Sequence, residues 1–356
     1  MATPNVNVDL LKRLCETPGI PGREERVRAL IEKEIKGLFD EVRTDNMGNL
    51  ICKRSGKRGG GKSKPTKVLL LCHMDEIGFY VKGIDDQGFL RLNAAGGFDT
   101  RNLFSRRVTV CTDGGDLTGV MNPGGRPIHI ASEEDKKKIP EVKEFFVDVG
   151  MKPEKVKKQV KIGDYVVMNE PAMVAGDKFV SKACDNRVAC WLGIESVRAI
   201  VQNKSALACD LYVVFTVQEE VGLRGAHTAS FGVEPDIAIG IDVTLSCDTP
   251  GVPADEMITK QGAGVGLHIM DSSFIADYRL INELEAVAKK NRIPHQRTIL
   301  ARGGQDGAAG QQARTGARAA GIVVGTRYIH TVTEMIDLVD LAAARDLLAA
   351  WAVTVK

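Results

Sequence analysis

Short apolar runs alternate along much of the chain with longer segments whose apolar positions recur at helical spacing. Fully apolar runs are typical of strands covered on both faces, whereas the three-to-four-residue spacing is typical of helices with one buried face. Buried strands are predicted at 68–72, 211–217, 236–241 and 321–324. Helices are predicted at 24–38, 188–201, within 271–292 and at 338–353. This alternation predicts an α/β fold with a mixed, largely parallel sheet and helices on both faces.

The segment 77–171 has a different pattern. Short alternating strands and glycine turns, such as FLRLNAAGG and RRVTVCTDGGDLTGVM, replace the strand–helix alternation. Regularly spaced short strands favour a small β-barrel or sandwich inserted into the α/β fold. We therefore predict an α/β domain in two parts, 1–76 and 172–356, with the insertion between them. A length of 356 residues is compatible with two domains.

Composition narrows the classes of partner. The net charge is only +2, and no apolar run approaches the roughly 18 residues of a spanning helix. We expect neither a nucleic-acid nor a membrane partner. No secretory signal is visible at the N-terminus, and the eight cysteines form no CxxC pair, so a cytoplasmic location is expected. The basic stretch 53–67 contains GGGKS but lacks P-loop spacing, and is interpreted as a solvated loop.

Ligand-type side chains follow the predicted strands where each strand ends. In open α/β sheets, sites form beyond the carboxyl ends of the strands, so residues distant in sequence gather there. Histidine and carboxylate ligands without thiolates suit zinc, cobalt or manganese. Taken singly, each of these residues is more simply a surface, core or capping residue, and only the joint pattern points to a site. The residues are His73, Asp185, the pair Glu219 and Glu220, Asp242 and His330.

The ligand set is too large for one tetrahedral ion. It suits two ions about 3.5–4 Å apart that share a carboxylate. One glutamate of the Glu219–Glu220 pair would then be a ligand, and the other would be free as a general base. Asp75 lies two residues after His73, where its carboxylate can accept a hydrogen bond from the second ring nitrogen and fix the imidazole.

Five segments, in this order along the chain, resemble one known family. HMDEIGF, KACDNRV, QEEVGLRGA, IDVT and RYIHT are similar to motifs of the glutamyl aminopeptidase and tetrahedral aminopeptidase family of dinuclear metallopeptidases. Some members of that family have been labelled endoglucanases. LCETPGIPGREERVR and FFVDVGMKPEKVKKQVKIGDYV also match, so the resemblance covers essentially the whole chain.

The resemblance implies a division of the ligands between two divalent ions, Zn²⁺ or Co²⁺, with Mn²⁺ also compatible. His73, Asp185 and Asp242 would hold one ion. Asp185, Glu220 and His330 would hold the other, so that Asp185 bridges the two.

The remaining roles also follow from the resemblance. Glu219 would be the general base, and Asp75 would orient His73. The inserted barrel would be a PDZ-like dimerisation domain, and dimers would assemble into a homo-dodecamer. The activity implied is metal-dependent removal of N-terminal residues from short peptides.

Some positions differ from the family pattern. The loop usually similar to GGTDAG reads GGQDGAAG, with Gln305 and Gly307; Gly325 stands where proline is common, and Thr331 replaces serine. These loops are expected to line the substrate side, so substrate specificity is what they affect. Two other functions remain as alternatives: a glycoside hydrolase using the two glutamates, and a catalytically silent assembly protein. The hydrolase would leave the histidines without a role, and aromatic residues for sugar stacking make up only 5% of the chain.

Overall fold

The computed structural model describes residues 5–57 and 64–356. In these residues the helices are α1 (Val8–Glu16), α2 (Glu25–Glu34), α3 (Glu133–Lys137), α4 (Pro153–Gln159), α5 (Cys184–Gln202), α6 (Arg224–Val233), α7 (Tyr278–Asn291), α8 (Gly307–Gln311) and α9 (Leu338–Ala352), with short 3₁₀ turns at Thr100–Leu103, Val142–Glu144 and Ala254–Glu256. The strands are β1 (Glu41–Thr44), β2 (Leu50–Arg54), β3 (Lys67–His73), β4 (Gly78–Ile84), β5 (Leu90–Ala95), β6 (Arg106–Thr112), β7 (Gly115–Pro123), β8 (Phe145–Asp148), β9 (Tyr165–Met168), β10 (Met173–Ala175), β11 (Lys178–Ser181), β12 (Asp210–Thr216), β13 (Ile237–Leu245), β14 (Val265–Met270), β15 (His295–Ile299), β16 (Arg318–Arg327) and β17 (Glu334–Asp337).

The larger sheet is mixed, with a parallel centre. Its strand order is β1-β2-β12-β3-β13-β16-β17-β11-β10, with β14 and β15 attached beside β16. The central strands β12, β3, β13 and β16 run parallel, so their carboxyl ends lie at one edge. The outer pairings, such as β1 with β2 and β16 with β17, are antiparallel. The predicted mixed α/β sheet is therefore confirmed.

Helices cover both faces of this sheet. One face packs against α1, α2, α5, α7 and α9, and their apolar residues form a single core with the strands. The other face packs against α6 and α8, through residues such as Ala226, Ala229 and Ala309. Coverage on both sides explains why the central strands are almost wholly apolar: Val68, Leu69, Leu71 and Cys72 of β3 are each fully buried.

The insertion is a closed barrel with strand order β4-β5-β8-β7-β6-β9. Its interior is a separate apolar cluster that includes Phe79, Val108, Val110, Phe145 and Val166. The barrel strands lie between Gly78 and Met168 of the chain. A small closed barrel leaves no unpaired edge strand and can therefore be inserted between β3 and β10 without disturbing the larger sheet.

A buried arginine joins the two parts of the α/β domain. Arg187 of α5 is fully buried, and its guanidinium donates to the carbonyl oxygens of Met74 at 2.7 Å, Thr17 at 2.7 Å and Gly19 at 3.1 Å. The guanidinium also donates to the carbonyl oxygen of Leu14 and lies beside the buried carboxylate of Glu76, which pairs with Lys182 at 2.5 Å. These bonds fix the chain that follows β3 against the start of α5.

Two local differences from the predicted elements have clear causes. The amphipathic segment 24–38 is helical only to Glu34, because Gly37 has a φ of +78° and turns the chain, although Ile35 and Leu38 stay buried. The short helix α8, which was not predicted, follows the glycine-rich loop at 303–307.

The GGGKS motif of the basic stretch lies in residues 58–63, which are outside the described residues. No helix within the described ranges is long and apolar enough to cross a membrane.

We predict that Gly240→Ala destabilises the fold at the centre of β13. A Cβ at this position would overlap Oε1 of Gln305, which accepts the backbone N–H of Gly307 at 2.7 Å. The side chain of Gln305 would have to move, with an expected cost of about 1–3 kcal/mol for overpacking. The change in thermal unfolding midpoint measures this cost.

The matched control is Gly232→Ala in the exposed part of α6, where a Cβ meets nothing within 4 Å. Alanine favours the helix at such a position, so no loss of stability is expected. Equal unfolding midpoints for Gly240→Ala and the wild type would contradict the inference that position 240 requires a residue without a Cβ.

Candidate metal centre

The residues predicted as ligands meet at the carboxyl-end edge of the parallel strands. His73 is the last residue of β3, and Asp242 lies in β13. Glu219 and Glu220 occupy the turn between β12 and α6, and His330 lies between β16 and β17. Each comes from a different strand or the loop after it, so the sheet order brings them together.

Asp185 reaches this edge from the opposite direction, at the start of α5. Asp185 and Asn186 have non-helical backbone angles, and the Asp185–Asn186 peptide bond is cis. Asn186 Oδ1 accepts the N–H of Ala189 at 3.0 Å, the expected helix-capping bond. The regular helix therefore begins after Asp185, whose side chain is left free to face the strand ends.

Asp185 links the two histidines. Its Oδ1 lies 3.2 Å from Nε2 of His73, and its Oδ2 lies 3.4 Å from Nε2 of His330. One carboxylate thus presents one oxygen to each imidazole. This is the arrangement required of a carboxylate shared between two ions.

Two groups of potential ligand atoms surround this carboxylate. His73, Glu219 and Asp242 form one group, and Asp185, Glu220 and His330 form the other, with the ligand atoms of each group within 4.8 Å of one another. In the first group, Nε2 of His73 lies 3.8 Å from Glu219 Oε2 and 3.9 Å from Asp242 Oδ1. In the second, Nε2 of His330 lies 3.5 Å from Glu220 Oε2. Glu219 therefore lies close enough to bind an ion held by the first group, or to accept a proton from a water beside that ion.

Asp75 holds the glutamate turn as well as lying beside His73. Its Oδ1 accepts the backbone N–H of Glu219 at 3.1 Å, and its Oδ2 accepts that of Glu220 at 3.0 Å. Nδ1 of His73 lies 3.5 Å from Asp75 Oδ1 and 3.1 Å from the carbonyl oxygen of Asp75. The sequence indicated only the contact with the histidine; the backbone contacts could not be inferred without the fold.

The electrostatics of the centre favour protonated histidines in the protein without ions. Burial lowers the pKa of His330, but hydrogen bonds to Asp185 and Glu220 outweigh it and raise the pKa to about 11. Burial also opposes the charge on His73, yet Glu219, Asp185 and Asp75 raise its pKa well above its ordinary value. Protons on the two imidazoles therefore balance part of the negative charge.

For two carboxyl groups, nearby positive charge does not offset the cost of burying a negative charge. Burial, reinforced by Asp185, raises the pKa of Asp242 well above its ordinary value. Burial also raises the pKa of Glu219, with Asp242 and Asp306 adding to the shift against the opposing effect of His73. Such a cluster is costly unless cations occupy it.

The donor set fits divalent metal ions. Four carboxylates and two imidazoles, with no thiolate, are ligands for zinc, cobalt or manganese. Oε1 of Glu220 is buried and has no hydrogen-bond partner among the described residues, so it is free to bind a cation. Both observations support the presence of ions in this centre.

The centre opens into a cavity of about 730 Å³. Asp185, Glu219, Asp242 and His330 line its floor, and the wall includes residues of the loop 302–304. Gln305 does not line this cavity: its side chain lies over Gly240, and its Oε1 bonds to Gly307. Of the altered loop, Gly303 and Gly304 therefore line the cavity, as expected for the substrate side, whereas the changed positions Gln305 and Gly307 do not.

Two other buried carboxylates were not identified from the sequence. Asp306 is 2% exposed, and its Oδ2 accepts from the hydroxyl of Thr216 at 2.5 Å; burial raises its pKa to about 6. Glu334 is also 2% exposed and contacts the backbone of two ligand residues. The glycine-rich loop could have indicated Asp306 as a site residue. The spacing of Glu334 after His330 gave no such indication.

The centre can now be compared with known proteins. A family model described as M42 glutamyl aminopeptidase matches residues 48–347. The chain belongs to this family. The M42 assignment confirms the resemblance seen in the sequence motifs. A relative from Acetivibrio thermocellus is 37% identical over 341 residues, 96% of each chain.

Solved structures of an aminopeptidase and a peptidase share the fold. The aminopeptidase APDkam598 of the archaeon Desulfurococcus kamchatkensis superposes with a TM-score of 0.90 at 34% identity, covering 97% of this chain and 94% of that one. The Pyrococcus horikoshii TET1 peptidase, which can assemble into a tetrahedron or a large octahedral shell, superposes with a TM-score of 0.85 at 31% identity, covering 97% and 98%. The M42 family supports a peptidase function for this chain.

We predict that ion binding to this M42 centre weakens as the pH falls. The pKa of His330, about 11 without ions, keeps its imidazole protonated near neutral pH, whereas an ion needs the neutral ring. Each ion therefore displaces protons, and the affinity should fall roughly tenfold per pH unit for each proton released. Calorimetric Zn²⁺ titrations in buffers of different ionisation enthalpy count these protons.

His227→Asn is the control, because His227 is exposed and outside both ligand groups. It should release as many protons as the wild type, and His330→Asn should release fewer. An affinity independent of pH would contradict the prediction.

Proposed function

We propose that this protein is a dinuclear metalloaminopeptidase that removes N-terminal residues from short peptides. The observation that carries the proposal is Asp185, with one oxygen on each of the two histidines, beside the paired glutamates Glu219 and Glu220. Family membership supports the peptidase class. The two ions and the residue roles are the proposal.

In the proposed arrangement the ligands divide between two ions. His73 and Asp242 would hold one, Glu220 and His330 would hold the other, and Asp185 would be shared between them. Two bound divalent ions would lower the pKa of a water toward about 7 and polarise the scissile carbonyl.

Glu219 would accept the proton of the attacking water and return it to the leaving amine. Burial raises the pKa of its carboxyl group in the protein without ions. Two bound cations would oppose this shift and favour the ionised carboxylate that a general base requires. Asp75 would fix the position of Glu219 through the backbone N–H bond of 3.1 Å. The cavity above the centre would admit the end of an extended peptide.

The partners proposed are peptides and further copies of the chain. We propose that the inserted barrel mediates dimerisation and that dimers form a homo-dodecamer, in keeping with the shells formed by the Pyrococcus horikoshii TET1 peptidase. The proposed location is the cytoplasm. Seven of the eight cysteines are buried, and all eight are free thiols, in keeping with a reducing compartment.

The contacts of the glutamate pair do not favour a glycoside hydrolase. That chemistry uses two carboxyl groups flanking a sugar bond, about 5–9.5 Å apart. Here each glutamate lies beside a histidine, Glu219 beside His73 and Glu220 beside His330. Ligation of metal ions gives these histidines a role, and sugar hydrolysis does not. The complete ligand set likewise disfavours a catalytically silent assembly protein.

We expect exhaustive chelation to abolish the release of chromophore from aminoacyl chromogenic substrates. Adding back Zn²⁺, Co²⁺ or Mn²⁺ singly should restore it, because these ions suit the donor set. A substrate panel run with each ion would also identify the preferred N-terminal residue. Activity that survives chelation, or hydrolysis of a β-glucan instead, would contradict the proposal.

Glu219→Gln should retain both ions and lose most turnover. A general base contributes about 10²–10⁴-fold, so kcat is expected to fall by that order. Glu220→Ala is the matched comparison, since it removes a ligand and should lower the bound metal measured by elemental analysis. The exposed Glu32→Gln should change neither quantity.

Unchanged kcat in Glu219→Gln would exclude Glu219 as the base. Loss of one ion in that variant would instead make Glu219 a ligand. Full two-ion content in Glu220→Ala would exclude Glu220 as a ligand.

A further inference from the structure

Glu334, the first residue of β17, joins two ligand residues through their backbones. Its Oε2 accepts the N–H of Asp185 at 2.9 Å, and its Oε1 accepts the N–H of His330 at 2.7 Å. Asp185 and His330 are separated by 145 positions and come from α5 and the β16–β17 loop. One buried carboxylate therefore sets the distance between their main chains.

The position of Glu334 is itself fixed by the sheet. Residue 334 pairs with Ser181 in the β11–β17 ladder, and the side chain is only 2% exposed. The carbonyl oxygen of Glu334 also lies 3.7 Å from the thiol of Cys184, the residue before Asp185. A carboxylate held on a strand in this way provides a rigid reference for the two loops.

His330 needs such support. Its φ is +63°, in the left-handed region that non-glycine residues rarely adopt, and Tyr328 nearby has a φ of +60°. A strained backbone persists where surrounding bonds determine it. The bond from the His330 N–H to Glu334 holds the loop so that Nε2 of His330 faces Asp185 Oδ2 at 3.4 Å.

We propose that Glu334 is a positioning residue that builds the second ion site by fixing the backbones of Asp185 and His330. The inference rests on the proposed two-ion centre and adds to it a residue that is not itself a ligand. Asp75 contacts the glutamate turn in the same way, one oxygen on the N–H of Glu219 and the other on that of Glu220. The carboxylates of Asp75 and Glu334 thus fix the main chain of four residues of the proposed centre.

The test is Glu334→Gln. An amide has one acceptor oxygen, so its NH₂ group must face one of the two backbone N–H donors, and one bond is replaced by a donor–donor contact. Loss of a residue that orients ligands typically costs about 10–100-fold in metal affinity. We expect that loss for the second Co²⁺ equivalent, held by Glu220 and His330, and a smaller loss for the other, which shares only Asp185 with it.

Asp340→Asn is the matched control. Asp340 is a fully buried carboxylate in α9 that also accepts two backbone N–H groups, from Gly262 at 2.8 Å and Gly264 at 2.6 Å. The chemical change is the same, but neither glycine is a ligand. This variant should lose stability and keep both Co²⁺ affinities.

Co²⁺ titration of the apoprotein, followed by visible absorption, measures stoichiometry and ligand geometry without activity. The wild type should bind two equivalents, and Glu334→Gln should show a weakened second equivalent with an altered spectrum. Two wild-type-like equivalents in Glu334→Gln would overturn the positioning role and leave the proposed function intact. No Co²⁺ binding by the wild type would overturn both.

Glu334→Asp is the second variant in case the glutamine variant does not fold. It keeps the charge but is one methylene shorter, so it cannot reach both N–H groups at their present distances, and the same weakened second equivalent is expected. If both Glu334 variants fail to fold while Asp340→Asn folds, the residue serves global stability, and the inference is overturned.

Discussion

Negative charge is concentrated at one edge of the parallel sheet, and the contacts around the centre hold it there. Four carboxylates and two imidazoles meet there in largely buried positions. Without cations the cluster is relieved only by protons, which is why the pKa of His330 rises to about 11 and that of Asp242 lies well above its ordinary value. The fold tolerates this cost because many other contacts stabilise it, including the apolar core on both sheet faces.

The candidate ligand residues are held mainly through the main chain. Asp75 and Glu334 each use both oxygens to accept backbone N–H groups of two functional residues. Glu24 adds a similar bond to the N–H of Gln218, just before the glutamate pair, at 3.0 Å. Fixing the main chain sets where each side chain starts, and it leaves the carboxylate and imidazole atoms free to bind ions.

Most of the residues that differ from the family pattern do not line the cavity of the centre. Gln305 fits because Gly240 of β13 has no Cβ, and its amide faces the core and not the cavity. Gly325 similarly lies against Thr259 and Ser246, where a Cβ would overlap Oγ1 of Thr259 and crowd Oγ of Ser246. Specificity is therefore better sought in the loop 302–304, which does line the cavity.

The α/β class, the inserted barrel and the set of ligand-type residues could all be predicted from the sequence. Apolar runs and helical spacing reflect burial of each element, and a ligand at the end of a buried strand is visible locally. Which atoms meet became visible only in the folded chain. The contacts of Asp185 with both histidines, and the backbone contacts of Asp75 and Glu334, depend on strand order and on turns between distant segments. Such contacts leave no periodic signal in the sequence. A glutamate in a short strand gives the same local pattern whether its carboxylate bonds to water or to the backbone of two distant segments.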